Sequence, residues 1–182
     1  MTLSSRSFNP SAPRFRDVPQ LTNYGSYAVD HSWRHLEEAT AHYAESYRFD
    51  FGESDFQRAH VWTEAQQIAF VEFGLKGGRS GMSILTNVED FSSGTGEQMV
   101  LVDGKQRLNA VLSFLRNEIP AFGVFYREFG DKLNMTGPSF RWHVNDLTGK
   151  KAVLNWYLEL NAGGTVHTDA ELDKVRDLLN GG

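Results

Sequence analysis

The sequence contains no cysteine, and this absence excludes disulfide bonds, thiolate catalysis and zinc sites that depend on cysteine ligands. It has no apolar run of about 18 residues, the length that a membrane-spanning helix requires. Its first residues also lack the apolar core of a signal peptide. Together these absences predict a cytoplasmic protein that has no membrane partner.

Several catalytic signatures are missing as well. No G-x-x-x-x-G-K-S/T sequence is present, which argues against a P-loop NTPase. No G-x-G-x-x-G segment follows a strand-like run, so the usual dinucleotide signature is absent. The nucleophile elbow G-x-S-x-G and the metalloprotease motif H-E-x-x-H are not found either. The commonest hydrolase and dehydrogenase classes therefore do not fit.

The charge balance is acidic, with 18 lysines and arginines against 23 aspartates and glutamates and a net charge of −5. This balance argues against a protein that coats DNA without sequence preference. A hydrophobic content of 40% is ordinary for a globular chain, and the length of 182 residues predicts one domain.

The chain divides into an arm and a domain. Residues 1–29 are rich in Ser, Asn, Pro and Gln and hold too little apolar surface to offset the entropy of ordering. We therefore expect a flexible N-terminal arm over 1–29 and a single globular domain over 30–182.

Hydrophobic periodicity within the domain alternates between helical and strand-like segments. The predicted helices cover residues 32–47, 63–76, 105–117, 150–160 and 168–179. The predicted strands cover residues 82–85, 99–102, 121–126 and 141–144. Thr63, with Gln66 three residues later, predicts a capping box at the start of the second helix.

One stretch, from Met99 to Arg107, combines a short apolar run, an Asp-Gly turn and the start of an apolar helix. A helix N-terminus offers unpaired backbone N–H groups and the positive end of the helix dipole, so it favours anions. Arg107 adds planar donors that suit phosphate. We therefore expect this turn to hold the phosphates of a nucleotide.

The same residues also fit an ordinary helix start. Asp103 is a good N-cap residue, and Gln106 completes a pair like that of a capping box. Arg107, however, lies one turn before Val111 and hence on a face that turns partly inward. An inward arginine needs a carboxylate or an anion, because a buried unpaired charge is costly.

Three blocks of the sequence resemble a known family. Asp103-Gly104-Lys105-Gln106-Arg107 is similar to the DG(Q/K)QR motif of GmrSD-type restriction-endonuclease N-terminal domains, which are ParB/sulfiredoxin-like proteins. Phe56-Gln57-Arg58-Ala59-His60-Val61-Trp62 resembles the upstream FQR…VW block of that family, and Leu160-Asn161-Ala162-Gly163-Gly164-Thr165 resembles its downstream (I/L)N-x-GG-T block. The blocks occur in the family's order and span about two thirds of the chain.

The resemblance implies an α+β, ParB/sulfiredoxin-like fold, a small mixed sheet flanked by helices. It also implies binding and hydrolysis of a nucleoside triphosphate, with Mg²⁺, to gate a DNA-directed process such as restriction, anti-restriction or genome maintenance. Arg107 would contact phosphates, Gln106 would position a water, and Asp103 would orient the loop, hold a metal ion or assist that water. The remaining nucleotide-binding positions would be Gln57, Arg58, Gly104, Lys105, Asn161, Gly163, Gly164 and Thr165.

In this family a separate module carries the nuclease chemistry. We therefore expect a standalone copy without nuclease activity of its own, which acts with DNA or with a partner nuclease. Two alternatives stay open: an ATP-dependent phosphotransferase on the same fold, and a catalytically inactive DNA- or protein-binding module.

Overall fold

The structure is a computed structural model that describes residues 27–49 and 62–162, together with Val18, Gln20 and Asp177. Its strands are β1 (Tyr27–Ser32), β2 (Ser83–Val88), β3 (Met99–Asp103) and β4 (Ser139–Asn145). Its helices are α1 (Leu36–Tyr47), α2 (Glu64–Leu75), α3 (Lys105–Leu115) and α4 (Lys150–Ala162). The predicted helix over 168–179 lies outside the described residues apart from Asp177.

The four strands form one mixed sheet in the order β1-β4-β2-β3. β4 is antiparallel to β1 and parallel to β2, and β2 is antiparallel to β3. The predicted α+β class, a small mixed sheet flanked by helices, is therefore confirmed. No helix within the described residues is long and apolar enough to span a membrane.

The sheet is covered on both faces, and β3 shows how the sequence encodes this. Successive side chains of a strand point to opposite faces. Leu101 is buried in the larger core cluster, which includes Leu36 of α1, Val71 of α2 and Leu108 of α3. Its neighbour Val102 is buried in a second cluster. The residues of α4 in this second cluster are Val153, Leu154, Trp156 and Tyr157. Helices α1 to α3 thus cover one face, and α4 packs on the other.

The predicted capping box of α2 is confirmed. The hydroxyl of Thr63 accepts a hydrogen bond from the backbone N–H of Gln66 at 3.3 Å, and the side chain of Gln66 accepts one from the backbone N–H of Thr63 at 2.8 Å. Two backbone N–H groups of the first turn are satisfied in this way, and α2 begins where the sequence predicts.

The strand predicted over 121–126 is wrong. Ala121 and Val124 exchange two backbone hydrogen bonds of 2.9 Å around a tight turn. The two central residues of this turn, Phe122 and Gly123, both have positive φ, and a short 3-10 turn follows over Tyr126–Glu128. The apolar composition of this segment does not reveal the reversal of the chain.

Strand β1 was not predicted, and it begins inside the segment expected to be the arm. β1 lies at the edge of the sheet, and half of its side chains are polar. The apolar pattern of β1 is therefore weak, and its position is set by pairing with β4, in which Asp30 lies opposite Arg141 and Ser32 opposite Ser139. Tertiary pairing outweighs the weak local signal here.

His31 of β1 provides a test of how this edge strand packs. Its Nε2 lies 2.8 Å from the hydroxyl oxygen of Tyr43, and its ring meets Trp142 edge-on. Burial lowers the pKa of His31 from its ordinary value of 6.5. The unfolded chain therefore binds a proton more readily than the folded chain. We expect the free energy of unfolding to fall as the pH drops below about 6.5, and to level off below the folded pKa.

The effect is measured by urea denaturation of the wild type and of His31→Gln at two pH values, one above 6.5 and one below the lowered pKa of folded His31. The wild type should lose more stability on acidification than the variant does. His143, whose pKa is also lowered by burial, accounts for part of the dependence that remains in the variant. An equal pH dependence in both proteins would contradict the assignment to His31.

Candidate functional site

The turn between β3 and α3 depends on a glycine. Gly104 has φ of 109° and ψ of 3°, a backbone conformation that residues with a Cβ atom rarely adopt. A Cβ atom at this position would lie 2.6 Å from Cδ1 of Ile84 and 3.3 Å from the carbonyl oxygen of Ser83. The close approach of β2 therefore reserves this position for glycine and fixes where α3 begins.

The predicted capping arrangement of α3 is wrong. Gly104, and not Asp103, is the N-cap, and a glycine has no side chain that could accept a capping hydrogen bond. Asp103 is the last residue of β3, and its carboxylate is bound by Arg107 instead. The side chain of Gln106 accepts a hydrogen bond from the backbone N–H of Trp62 at 3.3 Å. Both predicted capping side chains thus have other partners.

Arg107 leans inward, as its spacing from Val111 predicts, and its side chain is only 19% exposed. Its Nη2 donates to Oδ2 of Asp103 at 2.5 Å, and its Nη1 donates to the carbonyl oxygen of Gly81 at 3.2 Å. Asp103 is half exposed, with 52% of its side chain accessible. The expected requirement for a carboxylate or an anion is met within the chain itself.

The contact of Gln106 with Trp62 joins two of the three sequence blocks. Trp62 ends the upstream block and packs against Phe70 of α2, with ring centroids 5.4 Å apart. Because Trp62 precedes α2, this contact places the start of α2 beside the start of α3. The polar residues of the upstream block, Gln57 and Arg58, lie outside the described residues.

The downstream block is described only in part. Asn161 belongs to the last turn of α4, which packs on the sheet face opposite to α3, and Gly163, Gly164 and Thr165 lie outside the described residues. Among the predicted site residues that the structure describes, those at the start of α3 lie together, and Asn161 lies apart from them. The residues at the start of α3 are Asp103, Gly104, Lys105, Gln106 and Arg107.

A cavity of about 890 Å³ lies beside this turn. Gly81 and Ser83 line it. The carbonyl oxygen of Gly81 accepts a hydrogen bond from Arg107, and that of Ser83 lies 3.3 Å from the position that a Cβ atom of Gly104 would take. Asp103 and Arg107 are not among its lining residues. Sequence reasoning missed this cavity, because its lining residues are far apart in the sequence and meet only in the folded chain.

The described residues contain no group of three His, Asp or Glu side chains that could hold a metal ion. Asp103 offers a carboxylate at the start of α3. Magnesium commonly takes one or two protein carboxylates and completes its shell with substrate phosphates and water. A magnesium ion at this turn would therefore be held by Asp103 and by the phosphates it accompanies.

Comparison with known proteins identifies no relative of this chain. No protein-family model matches the chain, and no curated protein or solved structure is significantly similar to it. The resemblance to GmrSD-type N-terminal domains rests on the three sequence blocks.

Proposed function

We propose that this chain is a ParB/sulfiredoxin-like domain of the GmrSD N-terminal type. In this proposal it binds a nucleoside triphosphate at the start of α3 and hydrolyses it to gate a DNA-directed process. One observation carries the proposal: Arg107 lies in the first turn of α3, beside the carboxylate of Asp103 and close to the positive end of the helix dipole. The start of a helix and a guanidinium both favour phosphate oxygens.

The ion pair of Asp103 and Arg107 sets the order of events on binding. A triphosphate that contacts Arg107 competes with the carboxylate of Asp103 for the guanidinium. A carboxylate released from Arg107 becomes free to hold Mg²⁺, which supplies charge neutralisation to the phosphates. Phosphoryl transfer depends mainly on such positioning and neutralisation. Gln106 lies in the same turn, where it would position the attacking water.

A second candidate is a catalytically inactive module that binds DNA or a protein. It is favoured by the fact that both terminal nitrogens of Arg107 have partners within the chain, Asp103 and Gly81. In that case the motif would stabilise the β3–α3 turn and would not bind phosphate.

Isothermal titration with ATP or GTP and Mg²⁺ tests the proposal. A charge-assisted hydrogen bond contributes about 1.5–3 kcal/mol, so Arg107→Ala should weaken nucleotide binding at least about tenfold. Arg116→Ala is a matched control, because Arg116 follows the other end of α3 and also pairs with a carboxylate, that of Glu37 at 2.9 Å. This control should bind the nucleotide as the wild type does.

Equal affinity of the wild type and Arg107→Ala would remove the proposed site. Measuring phosphate release with each nucleoside triphosphate and Mg²⁺, with and without DNA, then separates the two candidates. Release that disappears in Arg107→Ala supports the NTPase. Nucleotide binding without any release in the wild type would refute hydrolysis and leave a nucleotide-binding module.

A further inference from the structure

The cavity of about 890 Å³ is large enough for a nucleotide-sized ligand, since small-molecule sites typically measure roughly 300–1,000 Å³. It lies at one end of three neighbouring strands, where β1 ends and β2 and β4 begin, and the segment from the C-terminal end of α2 to β2 forms one of its walls. Neither Asp103 nor Arg107 lines it. The cavity is therefore a second possible site, made from other residues.

Its charged lining favours an anion. Arg79 and Arg141 line the cavity, against the single carboxylate of Asp30. This local excess of positive charge stands out in a chain whose net charge is −5. Arg79 is exposed and makes no ion pair with another of the residues that the structure describes.

Arg141 is paired, but weakly. Its Nη1 lies 3.2 Å and 3.4 Å from the two carboxylate oxygens of Asp30, directly across the β1–β4 pair. Both side chains are more than half exposed, at 55% and 57%. Exposed ion pairs contribute little to stability because water screens them. An anionic ligand can therefore take Arg141 from Asp30 at little cost to the fold.

The uncharged part of the wall offers hydrogen-bonding groups. Hydroxyl-bearing residues line it on three strands, namely Ser32, Ser83 and Ser139. The hydroxyl oxygen of Ser32 is buried away from solvent. The hydroxyl groups of Ser83 and Ser139 remain as groups that can donate hydrogen bonds to the oxygens of an anion.

We infer that this cavity binds a phosphate-bearing small molecule, whose phosphate accepts hydrogen bonds from Arg79 and Arg141. Arginine suits this role because its planar donors match phosphate oxygens. The glycines at 77, 78 and 81 leave the wall beside Arg79 without bulky side chains, so that the ligand can approach the backbone. The inference does not depend on nucleotide binding at the start of α3.

Pyrophosphate is the probe, and isothermal titration in an Arg107→Ala background keeps the α3 site from dominating the signal. In this background, Arg79→Ala and Arg141→Ala should each weaken pyrophosphate binding at least about tenfold. Asp30→Asn should strengthen it severalfold, because it removes the competing carboxylate. Arg127→Ala, an exposed arginine that does not line the cavity, is the matched control and should leave binding unchanged.

The outcomes separate this inference from the proposed function. If the single substitution Arg107→Ala abolishes pyrophosphate binding, the cavity site is overturned and the α3 site is supported. Binding that survives Arg107→Ala but is lost in Arg79→Ala supports the cavity. The gain in Asp30→Asn cannot arise from misfolding, so its absence would count against the cavity even if both arginine variants lose binding. No binding in any protein, or binding of an oligonucleotide only, would overturn the inference.

Discussion

Gly104→Ala is expected to lower the free energy of unfolding by about 2–6 kcal/mol, since backbone strain and overpacking each cost about 1–3 kcal/mol. The strain arises because a side chain is forced to adopt the positive φ of 109° that Gly104 has. The overpacking arises because the new Cβ would approach Cδ1 of Ile84 to 2.6 Å, while Cα of Ile84 and the carbonyl oxygen of Ser83 each lie 3.3 Å away. Ile84 is fully buried in β2 and has little room to move.

Gly149→Ala separates strain from crowding. Gly149 also precedes a helix, and it also has positive φ, 81°, but an added Cβ there meets no atom within 4 Å. The control should therefore cost only the strain of about 1–2 kcal/mol that a left-handed residue carries. Urea denaturation of both variants gives the comparison. If the two substitutions cost the same, the close approach of β2 to Gly104 does not contribute to stability.

The functional consequence of Gly104→Ala follows from the same geometry. Any shift that relieves the contact with Ile84 moves the first turn of α3, and Arg107 moves with it. Nucleotide affinity should therefore fall in Gly104→Ala together with stability, whereas Arg107→Ala should lower affinity while it leaves the β3–α3 turn in place. The two variants thus distinguish a turn that positions the site from a side chain that contacts the ligand.

The elements with strong hydrophobic periodicity were predictable from the sequence. The helix predicted over 105–117 is apolar, and its residues Leu108, Val111 and Phe114 are at most 1% exposed. The helix predicted over 32–47 likewise packs into the larger core cluster, through Leu36 and Tyr43. Burial follows from the spacing of apolar residues, so it can be inferred without knowledge of the tertiary structure.

The details of the candidate site were less predictable, because they depend on competition between partners. Asp103 could cap the helix or pair with Arg107, and both contacts are compatible with the local sequence. The inward lean of Arg107 decides in favour of the ion pair, because a guanidinium that is only 19% exposed is costly to leave unpaired. The cavity beside Gly81 could not be inferred at all, because residues from β1, β2 and β4 meet there only in the folded chain.

Gly74→Ala is the second substitution with a large expected effect. Gly74 lies in α2, where alanine normally stabilises a helix by about 1 kcal/mol relative to glycine. Here the new Cβ would lie 2.2 Å from Cη2 and 2.8 Å from Cζ2 of Trp33. Trp33 is fully buried, and its ring packs against Phe70 and Phe140. Since overpacking a filled core costs about 1–3 kcal/mol or more, we expect a net loss of about 2 kcal/mol.

Gly78→Ala is the control for crowding: the distances are similar, but Gly78 lies beyond the end of α2 and its neighbour is exposed. A Cβ at Gly78 would lie 2.4 Å from the ring of Phe73, but Phe73 is 43% exposed and can turn into solvent. This variant should lose less than about 1 kcal/mol, the range of surface substitutions. A double-mutant cycle with Trp33→Phe completes the test by urea denaturation. Trp33→Phe removes ring atoms that meet the new Cβ, so the double variant should be more stable than the sum of the single losses predicts. Strict additivity would show that the α2 backbone moves to relieve the contact and that Trp33 does not restrict position 74.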